Sequence, residues 1–453
     1  MKRTLKRRTF LQASAAASTL AGFNILPASA ASPNEKLNVA IIGCSAQGGT
    51  DARQAMRHPN VNIVALCDVV PDRTARLIEE MKKQNRPDAP VFDDFREMFD
   101  KMGKKIDACT IGVPDHAHFP ISMLAMSLGK HIYVEKPLAH TFEECELMMA
   151  AEKKYKVACQ MGNQGHSSNQ RRQFEQWVER GIIKDVKKID VWMNKKRRWW
   201  TWGKITEYPT GVTPPAGMNW DVWAATREKK PYDRKYDPGN WRGWFIYGNG
   251  AFGDWGPHML DTAHRYLKLG LPTEIRAEQL LEPTSPLVFP KGSTIAFDFP
   301  TRGDMPACTV TWYDGPNHKP DKPEWQQRDL GWKGKFIYCG DDVVVRGGSH
   351  FDTHQVVKGE VDREKAKVTG QPETSTDHMT NFINAAMGKE QCNSKFSVAG
   401  PLTQVFTLGC IAQRLNTTLQ FDPTTKRITN NDRANELLKG PAPRKGWEQY
   451  YQL

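Results

Sequence analysis

The sequence predicts an α/β protein of two domains, a doubly wound parallel sheet over residues 36–162 and a second domain over residues 163–453. Three observations carry the first of these. Short, nearly continuous apolar runs alternate with segments whose apolar residues recur at helical spacing, the pattern of strands covered on both faces by crossover helices. The first run leads into a glycine-rich turn, Gly43-Cys44-Ser45-Ala46-Gln47-Gly48-Gly49. The second ends on an acid, Asp68.

Strands are expected at 37–43, 61–68, 108–113, 131–134 and 157–161, with helices at 71–86, 95–102, 118–128 and 142–155. A further helix follows the glycine turn. A glycine turn between strand and helix lets the backbone approach a pyrophosphate at the helix N-terminus, which places Gly43, Ser45, Gln47 and Gly48 around it. Ser45 stands where the G-x-G-x-x-G fingerprint has its second glycine. Asp68 is positioned to accept hydrogen bonds from the adenosine ribose, and its charge repels a 2′-phosphate, which favours NAD over NADP. Two more polar segments follow strands, Pro114-Asp115-His116-Ala117-His118 and Glu135-Lys136-Pro137. Ligands of open α/β sheets lie at such strand ends, so Pro114, Asp115, His118 and Glu135 are expected at the cofactor. His116 and His118 read equally well as helix-start residues bonded to backbone, and a lysine on a loop is ordinarily a surface residue.

The 453 residues are 39% hydrophobic and 25% charged, which excludes a disordered chain, a collagen and a polytopic membrane protein. The net charge of +12 overstates any affinity for nucleic acid. Residues 1–30 hold five of the 63 basic side chains and no acid, leaving 58 against 51. That segment has a basic start, Arg7-Arg8-Thr9-Phe10-Leu11, a weakly apolar run over 13–26 and a small-residue cleavage site at Ala28-Ser29-Ala30, so it reads as an export signal resembling the twin-arginine type. A periplasmic destination is expected. The apolar run is too short to span a bilayer. Nine cysteines, odd in number and without Cys-x-x-Cys spacing, indicate neither a disulfide framework nor a metal site.

The order of Gly43 to Gly48, Asp68, Pro114-Asp115-His116-Ala117-His118, Gly129-Lys130-His131 and Glu135-Lys136-Pro137 resembles the Gfo/Idh/MocA oxidoreductases. The resemblance continues through Asn219-Trp220-Asp221-Val222-Trp223, Asn240-Trp241-Arg242-Gly243-Trp244 and Arg444-Lys445-Gly446-Trp447, stretches similar to an exported bacterial subgroup. It implies a Rossmann domain followed by an α/β domain whose large, mostly antiparallel sheet walls the active site and supports homo-oligomers. It also matches the family's catalytic lysine to Lys136 and its Asp-x-x-x-His pair to Asp254 and His258.

Oxidising a secondary alcohol needs a hydride acceptor and a base, and a histidine of ordinary pKa is suited to the second task. His258 is expected as that base, with Asp254 orienting it from at or near the helix N-cap, since Pro257 is comfortable only in a first turn. Lys136 is expected to hold the reacting hydroxyl. Between 195 and 250 the chain is rich in Trp, Tyr, Pro, Gly and basic residues with little periodicity, an irregular excursion of the kind that is usually functional. Nine of the 14 tryptophans lie between 192 and 255. Half of them are expected to bury the excursion and the rest to line a carbohydrate pocket. Candidates for substrate contact are Asn163, Trp200, Trp241, Arg242 and Asp261. The run Lys195-Lys196-Arg197-Arg198 reads as a solvated face, an oligomer contact or a site for an acidic sugar.

These readings converge on an exported NAD-dependent oxidoreductase of a sugar, glycoside or polyol. Because the periplasm holds little free NAD, the cofactor is expected to be tightly bound and reset at each turnover. Two alternatives stand beside it: an NAD-assisted glycosidase working by oxidation, elimination, hydration and re-reduction, and a non-catalytic sugar-binding protein. The glycosidase group of the family departs from the Glu-Lys-Pro motif kept here.

Overall fold

The computed structural model describes residues 36–453. The expected signal lies outside the described residues. Strands β1 (Leu37–Ile42), β2 (Val61–Cys67), β3 (Val91–Phe92), β4 (Ala108–Ile111), β5 (His131–Glu135) and β6 (Cys159–Gly162) form a parallel sheet in the order β3, β2, β1, β4, β5, β6. Only β3 escaped the sequence reading, because two residues are too few to show a period. The strand order reverses between β1 and β4, so a crevice opens at their carboxyl ends.

Backbone contact explains the glycines of the first turn. Gly43 has φ of +87°, and a Cβ on Gly48 would lie 2.2 Å from the Gly43 carbonyl oxygen and 2.9 Å from that of Gly112. The Ala46–Arg57 helix therefore packs directly on β1 and β4 at this point. Gly48→Ala is expected to cost about 1–3 kcal/mol through overpacking, measured as a lower denaturant midpoint at unchanged m-value.

The second domain contains β7 (Lys188–Met193), β8 (Glu274–Leu281), β9 (Gly292–Phe299), β10 (Cys308–Asp314), β11 (Lys333–Tyr338), β12 (Val344–Gly347), β13 (Gln355–Lys358), β14 (Thr418–Asp422) and β15 (Arg427–Ile428). They run in the order β13, β12, β11, β7, β10, β9, β8, β14, β15, antiparallel except where β10 pairs with β7. Side chains alternate between faces. Ile189, Val191, Val310 and Trp312 join the main core, against the helices Gly250–Tyr266 and Phe396–Leu415. Trp192, Phe336 and Val344 point the other way, under Leu330 and Trp325.

Residues 194–249 form the expected irregular excursion, with one five-residue helix, Trp220–Ala224, and two short 3₁₀ turns. It has its own satellite core. Trp220, Trp223, Trp241 and Trp244 pack there with Tyr236 and Tyr247, and the Trp220 and Trp223 rings stack at 4.2 Å. The nine cysteines are unpaired. Among the described residues no helix is long and apolar enough to cross a membrane.

Candidate active site

The crevice holds two connected spaces. An apolar pocket of about 550 Å³ is lined by Ile42, Asp68, Phe95, Ile121, Val222 and Trp223. It shares Ser45, Arg73, Gly112, Val113 and Pro114 with a polar cleft of about 1200 Å³ that runs on to Lys136, Asp254 and His258. This succession fits a dinucleotide: an apolar slot for a base, an acid for its ribose, a helix start for phosphates and a polar far end. The left-handed Gly43, which has no room for a Cβ, makes the close backbone approach possible. Ser45 caps the Ala46–Arg57 helix through its backbone alone, and Ser45, Ala46 and Gln47 face the cleft at that helix start.

Asp68 accepts hydrogen bonds from the amides of Cys44 and Val70 at 2.9 and 3.0 Å, so the acid that ends β2 also braces the glycine turn. Arg73 lies 3.7 Å from Asp68 but gives its bonds to Asp237, at 2.7 and 2.9 Å. That pair ties the excursion across the apolar pocket. Asn219 reinforces it, donating its amide N–H to the Val69 carbonyl at 2.8 Å.

At the far end, Lys136 Nζ donates to the Asp254 backbone carbonyl at 2.7 Å and to its Oδ1 at 3.0 Å. Arg197 donates to Oδ2 at 2.5 Å, and Arg242 stands 3.5 Å from Oδ1. Burial alone would raise the Asp254 carboxyl, but these three cations hold it well below the usual carboxylate range. Burial first, then Lys136 and His350, push the His258 imidazole well below its ordinary value. Glu135 is pushed the other way by burial, to about 7, although Lys136 opposes the shift. Gln164 donates to it at 2.9 Å.

Asp254 is not at the N-cap. Asn249 caps the Gly250–Tyr266 helix, so Asp254 lies in its second turn and Pro257 is internal. Proline there has no N–H for the Gly253 carbonyl. Asp254 and His258, four residues apart on a helix, still share a face, and both line the cleft. The Asp254 carboxylate, however, is bonded to Lys136 and Arg197 while His258 Nδ1 has no protein partner, so Asp254 holds the lysine and does not orient the imidazole.

Several expected contacts move elsewhere. Gly48 is buried against backbone and does not line either space. Asp115 accepts from the Asn249 amide at 3.0 Å and so holds the start of the Gly250–Tyr266 helix. His118 spans the carbonyls of Pro137 and Val113 at 2.7 and 2.9 Å, and His116 those of Trp223 and Tyr247 at 2.7 and 3.1 Å. These three side chains face protein and support the cleft from behind. Among the substrate candidates, Trp241 and Arg242 line the cleft. Asn163 and Asp261 line a smaller cavity behind His258, where Asp261 contacts His166 Nδ1 at 2.7 Å. Trp200 packs against the main core and lines neither.

The sequence reading missed Arg197, His350, Gln164 and the Arg73–Asp237 tie. Arg197 belongs to the basic run yet is 5% exposed, so that run is no uniformly solvated face. Its neighbour Lys195 lies 5.3 Å from the Trp255 ring centre, and both line the cleft. No sequence signal marks His350, which arrives on the loop between β12 and β13.

Fold and cleft together define a two-domain dinucleotide-binding protein with a polar reaction site between its domains. Residues 37–163 match a family model described as oxidoreductase family, NAD-binding Rossmann fold, and residues 341–449 match the oxidoreductase family C-terminal alpha/beta domain. The chain belongs to the Gfo/Idh/MocA oxidoreductase family. Glycosyl hydrolase family 109 protein 1 of Shewanella sp. (strain ANA-3) is 34% identical over 134 residues, and alpha-N-acetylgalactosaminidase of Shewanella oneidensis is 32% identical over 134. Each match covers 28% of this chain and only 29% of the relative. Among solved structures, the aldose-aldose oxidoreductase of Caulobacter crescentus in complex with glycerol aligns with a TM-score of 0.58 at 16% identity, over 85% of this chain and 100% of that one. The WlbA dehydrogenase of Bordetella pertussis, in complex with NADH and UDP-GlcNAcA, aligns at 0.59 and 14%, over 86% and 99%. These last two likenesses are of fold.

Proposed function

We propose that the protein is an exported NAD-dependent oxidoreductase that acts on a secondary hydroxyl of a sugar, glycoside or polyol, with the cofactor held through many turnovers. The observation that carries this reading is the meeting of Lys136, Asp254 and His258 at the polar end of a dinucleotide-shaped crevice. A bound nicotinamide would supply the hydride acceptor. Lys136 holds the reacting hydroxyl and lowers its pKa by its charge, His258 takes the proton, and Asp254 fixes the Lys136 ammonium. Trp241 and Trp255 offer ring faces to a sugar's C–H surface, and Arg242 offers donors to its hydroxyls.

Asp68 supports NAD over NADP, because a 2′-phosphate would meet a carboxylate while the nearby Arg73 is engaged by Asp237. Asp237→Ala is expected to free that guanidinium, loosen the excursion and narrow the preference for NAD about tenfold, measured by titrating both cofactors into stripped protein. Export by the twin-arginine route and homo-oligomerisation through the second sheet belong to the same proposal. A redox-neutral glycosidase is the second reading, favoured by the names of the Shewanella relatives. The retained Glu135-Lys136-Pro137 favours the first.

The test is to purify the exported protein, denature it to release NAD, and offer it sugars, glycosides and inositols while following NADH absorbance and products. A keto-sugar formed with stoichiometric NADH supports a dehydrogenase. Free reducing sugar without net NADH supports the glycosidase, and silence across the panel overturns both.

A further inference from the structure

The imidazoles of His258 and His350 lie face to face, ring centres 3.7 Å apart and planes at 24°. Both line the main cleft, and both line the cavity of about 320 Å³ behind it. The loop that brings His350 is built to do so. Its backbone is left-handed at His350, φ +47°. Gly165 clears its path, since a Cβ there would sit 2.6 Å from the His350 carbonyl oxygen. Lys333 ties the loop together by donating to Ser349 Oγ at 2.8 Å and Asp352 at 2.6 Å.

The cavity itself is polar and unsatisfied by protein. Both polar atoms of the Asn163 amide, both ring nitrogens of His354 and Nδ1 of His258 are buried without a protein partner. Lys335 is buried on its wall, donating to the Met259 carbonyl at 2.7 Å. Buried polar groups of this kind are ordinarily satisfied by ordered water. The side chain of Asp352, also on the wall, is 46% exposed and opens the cavity to solvent.

We propose that His350 and this cavity are the proton outlet of the site, an inference that rests on His258 being the base. When the substrate carbon gives its hydride to the cofactor, its hydroxyl proton passes to His258, then through cavity water to His350 and out past Asp352. Two stacked rings cannot both be cations, so the pair carries one proton at a time and must release it before the next turnover. The groups facing His258 are Lys136, Asp254, His378 and His350; those facing His350 are Lys136, Asp254, Lys333 and Asp352. Asp261, Lys335 and His354 complete the cavity. Burial, then Lys136, holds His350 at about 4 and keeps His258 low as well. Neither ring can therefore store the proton at neutral pH. Acting through His258, His350 is a positioning and relay residue.

The experiment follows the histidine ring nitrogens by NMR across pH in the full NAD-loaded protein, for wild type, His350→Phe and His350→Gly. Phenylalanine keeps the stack without a proton site, and glycine suits the left-handed backbone. In both variants the His258 midpoint is expected to rise by about one pH unit. Single-turnover hydride transfer should fall about 10²-fold with cofactor affinity unchanged, and added imidazole should restore part of the rate in His350→Gly. A His258 titration that is the same with and without His350 overturns the proposal whatever the substrate. Coupled titration in a protein that oxidises no sugar upholds the pair and overturns only the sugar reading.

Discussion

Lys136→Met is expected to slow hydride transfer by about 10³-fold, the effect of losing one preorganised charge aimed at a developing alkoxide. The fold should survive. Asp254 would keep Arg197 at 2.5 Å and Arg242 at 3.5 Å, so no buried carboxylate is left without a cation, and the methionine replaces the apolar stem of a side chain that is 9% exposed. Cofactor affinity should change little, because the apolar pocket, Asp68 and the helix start lie at the other end of the crevice. Single-turnover NADH absorbance at saturating sugar measures the first effect, and fluorescence titration of NAD the second. Loss of the cofactor together with activity would move Lys136 from the chemistry to cofactor binding.

Acid is expected to unfold the protein steeply between roughly pH 6 and pH 5. Burial holds His116 at about 3 and His118 and His378 at about 4. A histidine lowered in the folded state favours folding above its unfolded value of about 6.5, and that stability is lost as pH falls toward the folded value. Carboxyls raised by burial act in the opposite sense, since their folded forms keep the proton longer: Asp115 and Asp314 at about 6 and Glu135 at about 7 offset those three histidines in this window. The balance is tipped by His140, His258 and His354, all held well below their ordinary value chiefly by burial, and by His350 at about 4, against Asp51 and Asp68, both raised by burial. More protons are then taken up than released on unfolding, and each net proton gives a slope of about 1.4 kcal/mol per pH unit. Denaturant titrations at stepped pH measure it directly. A flat profile over this range would show that the raised carboxyls cancel the histidines, and would overturn the prediction.

Much of the first domain could be read from local pattern. Apolar runs at strand length, the crowded glycines Gly43 and Gly48, and Asp68 at a strand end each state a backbone requirement within a few residues of one another. The second domain offered less. Its sheet joins strands far apart in the chain, β7 at Lys188–Met193 to β10 at Cys308–Asp314, and alternation along one strand does not name its partner. Local spacing places the start of the helix carrying Asp254 and His258 later than its observed start at Gly250. Proline's cost in a helix interior is a local rule, and packing between the Phe396–Leu415 helix and the sheet overrode it.

By itself the sequence determined the chemistry within reach: a dinucleotide turn, a Glu-Lys-Pro strand end, an aspartate and a histidine one helical turn apart, and tryptophans in numbers that require a core or a pocket. Folding decided which of these face a cleft. It turned Asp115, His116 and His118 inward to backbone partners, drew Arg197 out of a basic run to Asp254, and laid His350 against His258 across 91 residues of intervening sequence. The reason is physical. Composition and spacing constrain a side chain only through its own element, whereas burial, charge pairing and ring stacking are set by whichever element packs against it.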